Sequence, residues 1–375
     1  MPDPCVTVSP GALRAMIRLA RALRGLSLTP GWREAIRAET PASFLTDPGN
    51  EAVMMGYDFH LTPNGPRLIE VNTNAGGGLM AHRALAPDFP PGPEFPEGSF
   101  DPGQRHQREL LATFGEEMAL FSGGAILKPS LLVILDEAPE EQFLYPEMRA
   151  FAALLTAWGC ETVIADPAAL EMNETGVFLQ SRRVEMIYNR HCDFYLESAA
   201  LAGLAAAWRN RRVCLSPNPR QYGLLADKRR MILWSDAEAL ANLGLSAPAI
   251  AFLTRHVPKT RLLATLDPAQ AWRERNQSVF KPIVGFGSKG VLLGAKISRV
   301  RFNELDPATT LVQQFIPPSL TRVGETTLKT DIRLFFYRDR PLGVAARVYQ
   351  GQVTNFRLPG NGFLSVRVMR ELAAP

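Results

Sequence analysis

The run Leu68-Ile-Glu70-Val-Asn72 sets a carboxylate and an amide two residues apart. Side chains alternate across a strand, so Glu70 and Asn72 share a face. A carboxylate beside an amide oxygen suits a hard cation such as Mg²⁺. The preceding apolar run AVMMGYDFHL is joined to PRLIEVNT through Thr62-Pro-Asn-Gly65, whose Asn-Gly predicts a hairpin. Asp58 then lies on the partner strand and can face the same ion. Apolar Leu68, Ile69 and Val71 imply partial burial, where an unpaired carboxylate is costly. The plainer reading is a solvated strand face at a sheet edge.

Gly285-Phe-Gly287-Ser-Lys-Gly290 satisfies the GxGxxG pattern. A dinucleotide fingerprint needs a helix after it, and VLLGAKI is β-like, so that reading fails on context. A Gly-rich turn between antiparallel strands fits, because bare backbone amides can close over phosphates. Lys281, just before the turn, would add a cation; the alternative is a flexible hairpin with an ordinary lysine. A protein kinase places such a loop ahead of its lysine strand and carries HRD and DFG motifs, neither of which follows here.

Lys228 begins a predicted helix with Asp227 as its N-cap; alone it reads as a solvated charge. Arg333, in Asp331-Ile-Arg333, and Arg347 sit among apolar residues on predicted strands. Buried guanidiniums need anionic partners: phosphate, a carboxylate ligand, or, for one of them, Asp331. No histidine shows a partner pattern, and no GxSxG appears.

Several elements must position these residues. Residues 10–39 predict two short helices broken at Pro30-Gly31, and 104–121 predicts another. A Pro/Gly-rich stretch from Pro87 to Gly103 reads as a loop. From Leu131, LLVILD, MRAFAALLTAWG, ETVIAD, VEMIYNR, a helix near 197–209 and RVCLSPNP alternate as βαβ units. The helix DKRRMILWSDAEALANLG precedes a strand-rich remainder. The pattern combines an α/β parallel-sheet module with an α+β module.

The chain has 375 residues, with 41 Lys+Arg against 37 Asp+Glu, a net charge of +4 and 46% hydrophobic residues. That length supports two or three domains, and the composition excludes wholesale disorder. No basic block supports nucleic-acid or membrane-surface binding, and no apolar run reaches the ~18–20 residues of a membrane span. Cys5, Cys160, Cys192 and Cys214 are widely spaced, without metal-finger spacing. Acid and proline stand where a signal peptide would be basic and then apolar. These features point to the cytoplasm.

Together the motifs resemble the ATP-grasp superfamily of carboxylate–amine ligases, and glutathione synthetases in particular. The matching set is Lys228, Lys281-Pro282 with residues 285–290, Val312-Gln-Gln-Phe-Ile316, Asp331/Arg333, Arg347, Asn355, Gly360 and Gly362, with Asp58, Glu70 and Asn72. In bacterial glutathione synthetases the Asp…Glu-x-Asn strands end the domain; here they come first. That order looks like the circular permutation of the eukaryotic-type enzymes, whose early Glu-x-Asn-Thr strand and Tyr-x-Arg strand are similar to Glu70–Arg83 and Tyr188-Asn-Arg190. Two departures stand out: Gly285 occupies the place of a metal-binding Glu, and Gln313-Gln314 replace a Glu common in the hinge.

The resemblance implies a Rossmann-like substrate domain at 126–219 and an ATP-grasp domain at 220–375, completed by residues 1–125. It implies ATP- and Mg²⁺-dependent joining of a small-molecule carboxylate to an amine through an acyl phosphate. Asp58, Glu70 and Asn72 would hold Mg²⁺. Lys228, Lys281, Gly285, Gly287, Ser288, Gly290, Gln313, Gln314, Phe315, Ile316 and Asp331 would bind ATP. Arg347, Arg333 and Lys281 would act in catalysis, with Arg347 stabilising the tetrahedral oxyanion. Arg190, Asn355 and Arg357 would bind substrate. A homodimer fits the habit of such enzymes. The alternatives are an ATP-dependent phosphotransferase acting on a small molecule and a non-catalytic ATP-binding protein.

Overall fold

The computed structural model describes residues 5–79, 105–285, 290–352 and 360–369. Its largest sheet has seven strands. Along it lie Cys5–Val8, Gly362–Val368, Arg340–Tyr349, Thr326–Tyr337, Met55–Thr62 and Gly65–Asn72, and Ser319–Val323 also pairs with Thr326–Tyr337. The hairpin predicted around Asn64-Gly65 is present, with Gly65 at φ +101° in the turn. It docks edge-on against Thr326–Tyr337, so the chain's first eighty residues and its last fifty build one sheet.

Alternation sorts that sheet into two faces. Tyr57, Phe59, Ile332, Leu334 and Phe336 join one core cluster with the helix Pro10–Ser27. That helix is capped by Ser9, which accepts from the Ala12 amide, and buries Met16, Leu19, Ala20, Leu23 and Leu26 at three-to-four-residue spacing. On the opposite face, register sets Asp58 between Arg333 and Glu70, and Asp331 opposite Arg347.

A second sheet is fully parallel, in the order Cys214–Ser216, Met186–Asn189, Leu131–Leu135, Glu161–Ala165. Leu131–Leu135 is buried at every position, as expected of a strand covered on both faces. The helices Arg105–Ser122 and Tyr145–Ala157 pack their apolar sides into the cluster that includes Leu132, Ile134 and Tyr188. A third, antiparallel sheet runs Thr260–Leu262, Thr310–Gln314, Ser278–Pro282, Leu292–Leu293. The Gly-rich segment therefore does join antiparallel strands.

Three details differ from the sequence reading. The helix expected over 227–244 is two pieces, Arg230–Trp234 and Ala237–Asn242, because the Asp236 side chain accepts from the Glu238 and Ala239 amides and starts a new helix. Of VLLGAKI only Leu292–Leu293 is strand. Cys5–Val8, too short to stand out by pattern, is a strand paired in parallel with Gly362–Val368. Among the described residues no helix is long and apolar enough to cross a membrane.

Candidate active site

Three parts of the fold converge on one narrow cleft. Strand Gly65–Asn72 contributes Ile69, Glu70 and Val71. The segment from Leu225 to Trp234 contributes Lys228 and the indole of Trp234. The third sheet contributes Thr260, Lys281, Leu311 and Gln313. Lys281 Nζ donates to the Ile69 carbonyl at 3.1 Å, and Lys228 Nζ donates to the Gly285 carbonyl. Gly285 has φ +148°, a conformation that favours glycine.

Both lysines are uneasy cations. Burial pushes the Lys281 ammonium down to about 8, the Glu70 carboxylate pulls it back up, and the neighbouring Lys228 charge lowers it further. Burial also lowers Lys228, against the opposing pull of Glu70 and Asp227. A buried and a half-buried ammonium sharing one half-buried carboxylate leave the positive charge there under-compensated. Asp227 anchors this segment: its carboxylate accepts from the Arg229 amide at 3.0 Å and from the Tyr195 hydroxyl at 2.8 Å. The expected cap at Asp227 is thus an amide contact to Arg229, while Arg230–Trp234 starts later.

Beside the cleft, the polar face of the large sheet is tightly paired. Arg333 grips Asp58 with Nε at 2.7 Å and Nη2 at 2.6 Å, and Arg347 Nη2 reaches the same carboxylate at 2.9 Å. Arg347 Nε also bonds Asp331 at 2.5 Å. Burial alone would raise the Asp58 pKa, but the two guanidiniums outweigh it and hold the carboxyl below the usual aspartate range. Arg347 is held above the usual arginine range by Asp331 and Asp58, against the cost of burial. Both arginines thus find internal carboxylates, where the sequence offered such a partner for only one.

Asn72 Nδ2 lies 3.1 Å from Asp58 and 3.4 Å from Glu70. All three expected oxygen ligands therefore meet, with the Asn72 amide donating between two carboxylates. A half-buried carboxylate plus an amide, completed by phosphate oxygens and water, is a donor set that Mg²⁺ accepts. Glu70 and Asn72 fit that demand. Both Asp58 oxygens already accept from arginine, so Asp58 joins them only by giving up such a contact. Among the described residues no cluster of three His, Cys, Asp or Glu side chains is built for a metal by the protein alone.

Beyond Asn72 the chain crosses to the parallel sheet. Glu147, buried in the first turn of Tyr145–Ala157, accepts from the amides of Gly77 at 2.8 Å and Leu79 at 3.1 Å. Arg333 Nη1 holds the Gly76 carbonyl at 2.9 Å, and Asn74 Nδ2 the His191 carbonyl at 3.0 Å. Gly77, at φ +93°, adopts a backbone conformation that favours glycine, and a Cβ there would lie 2.1 Å from the Phe363 ring, while one on Gly76 would press on the tip of the Leu144 side chain at 2.2 Å. Arg190 stands at the carboxyl end of Met186–Asn189 as expected, but is 6% exposed, bonding Tyr188 Oη at 3.1 Å and facing Glu147 at 3.8 Å.

In the hinge, Gln313 is buried and lines the cleft, whereas Gln314 faces out and accepts from Arg67 at 3.1 Å. Period-two alternation separates them. The Phe315 amide donates to the Gln277 carbonyl, and the Ile316 carbonyl contacts His60 Nδ1 at 2.6 Å. The expected residues Gly287, Ser288, Asn355 and Arg357 lie outside the described residues. Sequence reading missed Thr260 and Trp234 in the cleft, and Glu147 and Tyr195 behind it. Tyr195 lies five residues after the Arg190 it might have been read with; Thr260 carries no local signal.

No protein-family model matches the sequence, and no curated protein matches it. Solved structures do. A glutathione synthetase-like effector from Globodera pallida, in its apo form, superposes with a TM-score of 0.54 at 10% identity, over 98% of this chain and 90% of that one. A putative gamma-glutamylcysteine synthetase from Methylobacillus flagellatus superposes with a TM-score of 0.54 at 12% identity, over 97% and 90%. The chain has the glutathione synthetase-like ATP-grasp fold, with its parallel-sheet layer and its antiparallel layers.

Proposed function

We propose that the protein is an ATP- and Mg²⁺-dependent ligase that activates a small-molecule carboxylate and joins it to an amine. The observation that carries this reading is the meeting of Lys228, Lys281 and Glu70, from three separate parts of the fold, around one cleft, with Asn72 bonded to Glu70 beside it. Lys228 and Lys281 neutralise the triphosphate, and its negative charge in turn relieves the mutual repulsion of the two ammoniums. Glu70 and Asn72 would hold Mg²⁺, which would supply charge neutralisation at the phosphates.

The γ-phosphoryl group passes to the substrate carboxylate with release of ADP. The amine then attacks the acyl carbon, and phosphate leaves. Arg347 carries a permanent positive charge beside this site and stabilises the oxyanion that forms on attack. Arg333 fixes Asp58 and, through Gly76, the strap that reaches the substrate layer. Arg190 reads a substrate carboxylate by exchanging its contact with Glu147. A homodimer working in the cytoplasm fits the reading.

The test is a screen of amino acids and short peptides for ADP release with Mg²⁺ present, followed by product analysis. An amide product with stoichiometric ADP and phosphate supports the ligase. A phosphorylated product without an amide identifies a phosphotransferase, and nucleotide binding without turnover a non-catalytic protein; either result overturns the proposal.

A further inference from the structure

We propose that the outer strand of the parallel sheet, Glu161–Ala165, is a docking edge that takes a basic, extended segment of a partner protein as an added strand. The two edges of this sheet are built differently. Cys214–Ser216 is buried at every position, whereas on the other edge Glu161 is exposed and Thr162, Val163 and Ile164 are half-buried. A groove of about 570 Å³ runs beside that open edge. None of the residues lining it belongs to the cleft between Glu70, Lys228 and Lys281.

Ladder geometry shows which backbone groups face the groove. The Glu161 amide donates to the Ser130 carbonyl and the Asp136 amide to the Ala165 carbonyl, so Glu161, Val163 and Ala165 turn toward Leu131–Leu135. The residues between them in a parallel ladder turn the other way. The amides and carbonyls of Thr162 and Ile164 therefore point outward, and no strand pairs with them among the described residues. Sheet edges are ordinarily blunted by proline, lysine, a bulge or a covering element. Glu161–Ala165 has neither proline nor lysine, and its register on Leu131–Leu135 is unbroken. Val163, Ile164, Ala165 and Leu179 add apolar surface to the groove, which suits alternate side chains of an incoming strand.

Charge selects the occupant. Four carboxylates line the groove, Glu140, Glu141, Glu161 and Asp166, against one cation, Arg182. Arg182 already pairs with Glu161 through two hydrogen bonds. Asp166 is kept ionised by the amides of Ala138 and Ala168, each donating at 2.8 Å. Glu140 and Glu141 are exposed on the short helix Pro139–Glu141, and no ion pair neutralises them among the described residues. Three acidic charges thus stand over an open edge, in a chain whose net charge is +4. A second copy pairing edge to edge would set two such acidic groups against each other, which is unfavourable. Lysine or arginine at alternate positions of an incoming strand meets them with the matching sign.

Fluorescence anisotropy with the intact protein and a dye-labelled peptide of alternating lysine and valine tests the proposal. This peptide should bind at least about tenfold tighter than a twin of alternating glutamate and valine. Its affinity should fall severalfold as salt rises from roughly 50 to 300 mM. Methylating every second backbone nitrogen of the peptide should weaken binding about tenfold or more in the register that faces the edge, and little in the other. Thr162→Pro removes an outward N–H that the sheet itself does not use, and should weaken binding about tenfold. Glu140→Gln combined with Glu141→Gln should weaken it severalfold and flatten the salt dependence; both positions are exposed, so this variant serves even where Thr162→Pro fails to fold. Equal affinity for the two peptides, or affinity unmoved by N-methylation in either register, overturns the proposal. So does a dimer of the free protein that Thr162→Pro dissociates, because a second copy then occupies the edge.

Discussion

Arg333 and Asp58 face each other across directly paired strands and are joined by two parallel hydrogen bonds, from Nε at 2.7 Å and Nη2 at 2.6 Å. The pair ties the hairpin carrying Glu70 and Asn72 to the centre of the large sheet. With Asp58 1% exposed and Arg333 7% exposed, removing one partner strands a buried charge. Arg333→Met should cost about 3–5 kcal/mol in denaturant unfolding, typical of a broken buried pair. The Asp58 carboxyl titrates below its unfolded value. Its stabilisation is therefore complete above the ordinary aspartate range and is lost as pH falls through the lower folded value. An Arg333→Met protein as stable as wild type would contradict this account.

Glu70→Gln and Asn72→Ala should abolish Mg²⁺-dependent ADP formation while leaving the fold intact by circular dichroism. Neither side chain is deeply buried, so stability should change far less than for Arg333→Met. Full retained turnover in either variant would remove the metal assignment.

Arg347→Ala is expected to lower kcat by about 10²–10³, comparable with losing one oxyanion donor, with ATP affinity largely kept. Because Arg347 also holds Asp331 and Asp58, this variant should unfold at lower denaturant than wild type. Stability loss with unchanged kcat would leave Arg347 a purely structural cation.

Lys281 has a folded pKa of about 8, below that of a free lysine. The unfolded chain then binds more protons between that value and the ordinary lysine range, so this group makes stability rise with pH across that window. Nucleotide binding should show the opposite sign: affinity for ATP falls as pH climbs past about 8 and the ammonium is lost. Lys281→Met should weaken ATP binding and abolish that pH dependence. A pH profile identical in both proteins would exclude Lys281 from the phosphate site.

Glu117 offers a second pH signature, away from the cleft. It is fully buried and accepts from Asn50, Ser216, the Glu51 amide and Tyr337, linking four segments of the chain. Burial pushes its carboxyl up to about 7 despite these donors. The folded state therefore holds its proton longer than the unfolded one, and stability should fall as pH rises from about 4.5 to about 7. Glu117→Ala should flatten that slope while lowering stability at every pH.

The polar half of the site was legible because strand alternation is rigid: a period of two puts Glu70 beside Asn72 and Asp331 with Arg333 wherever the strand goes. Lys281 was legible through the glycines after it. The partners were not. Asp58 reads as a cation ligand from its hairpin alone, since nothing local shows two arginines arriving from distant strands. Glu147 looks like an ordinary acid in a helix's first turn, and its bonds to Gly77 and Leu79 depend on two sheets docking. The break at Ser235-Asp236 was missed because an apolar period runs through it, whereas the Asp236 cap competes locally and wins.

The docking of Met55–Thr62 against Thr326–Tyr337 has a bearing on how the protein comes into being. Asp58 and Arg333 are 275 positions apart. At ribosomal speeds of roughly 5–20 residues per second, the hairpin waits about a quarter of a minute to a minute for the strand that completes it. During that interval Glu70 and Asn72 have no finished sheet to stand on, and Tyr57 and Phe59 have only part of their eventual cover. The cleft can therefore be completed only late in biogenesis, after the final strands emerge, and until then the apolar side of the waiting hairpin is the surface on which a nascent-chain chaperone would act.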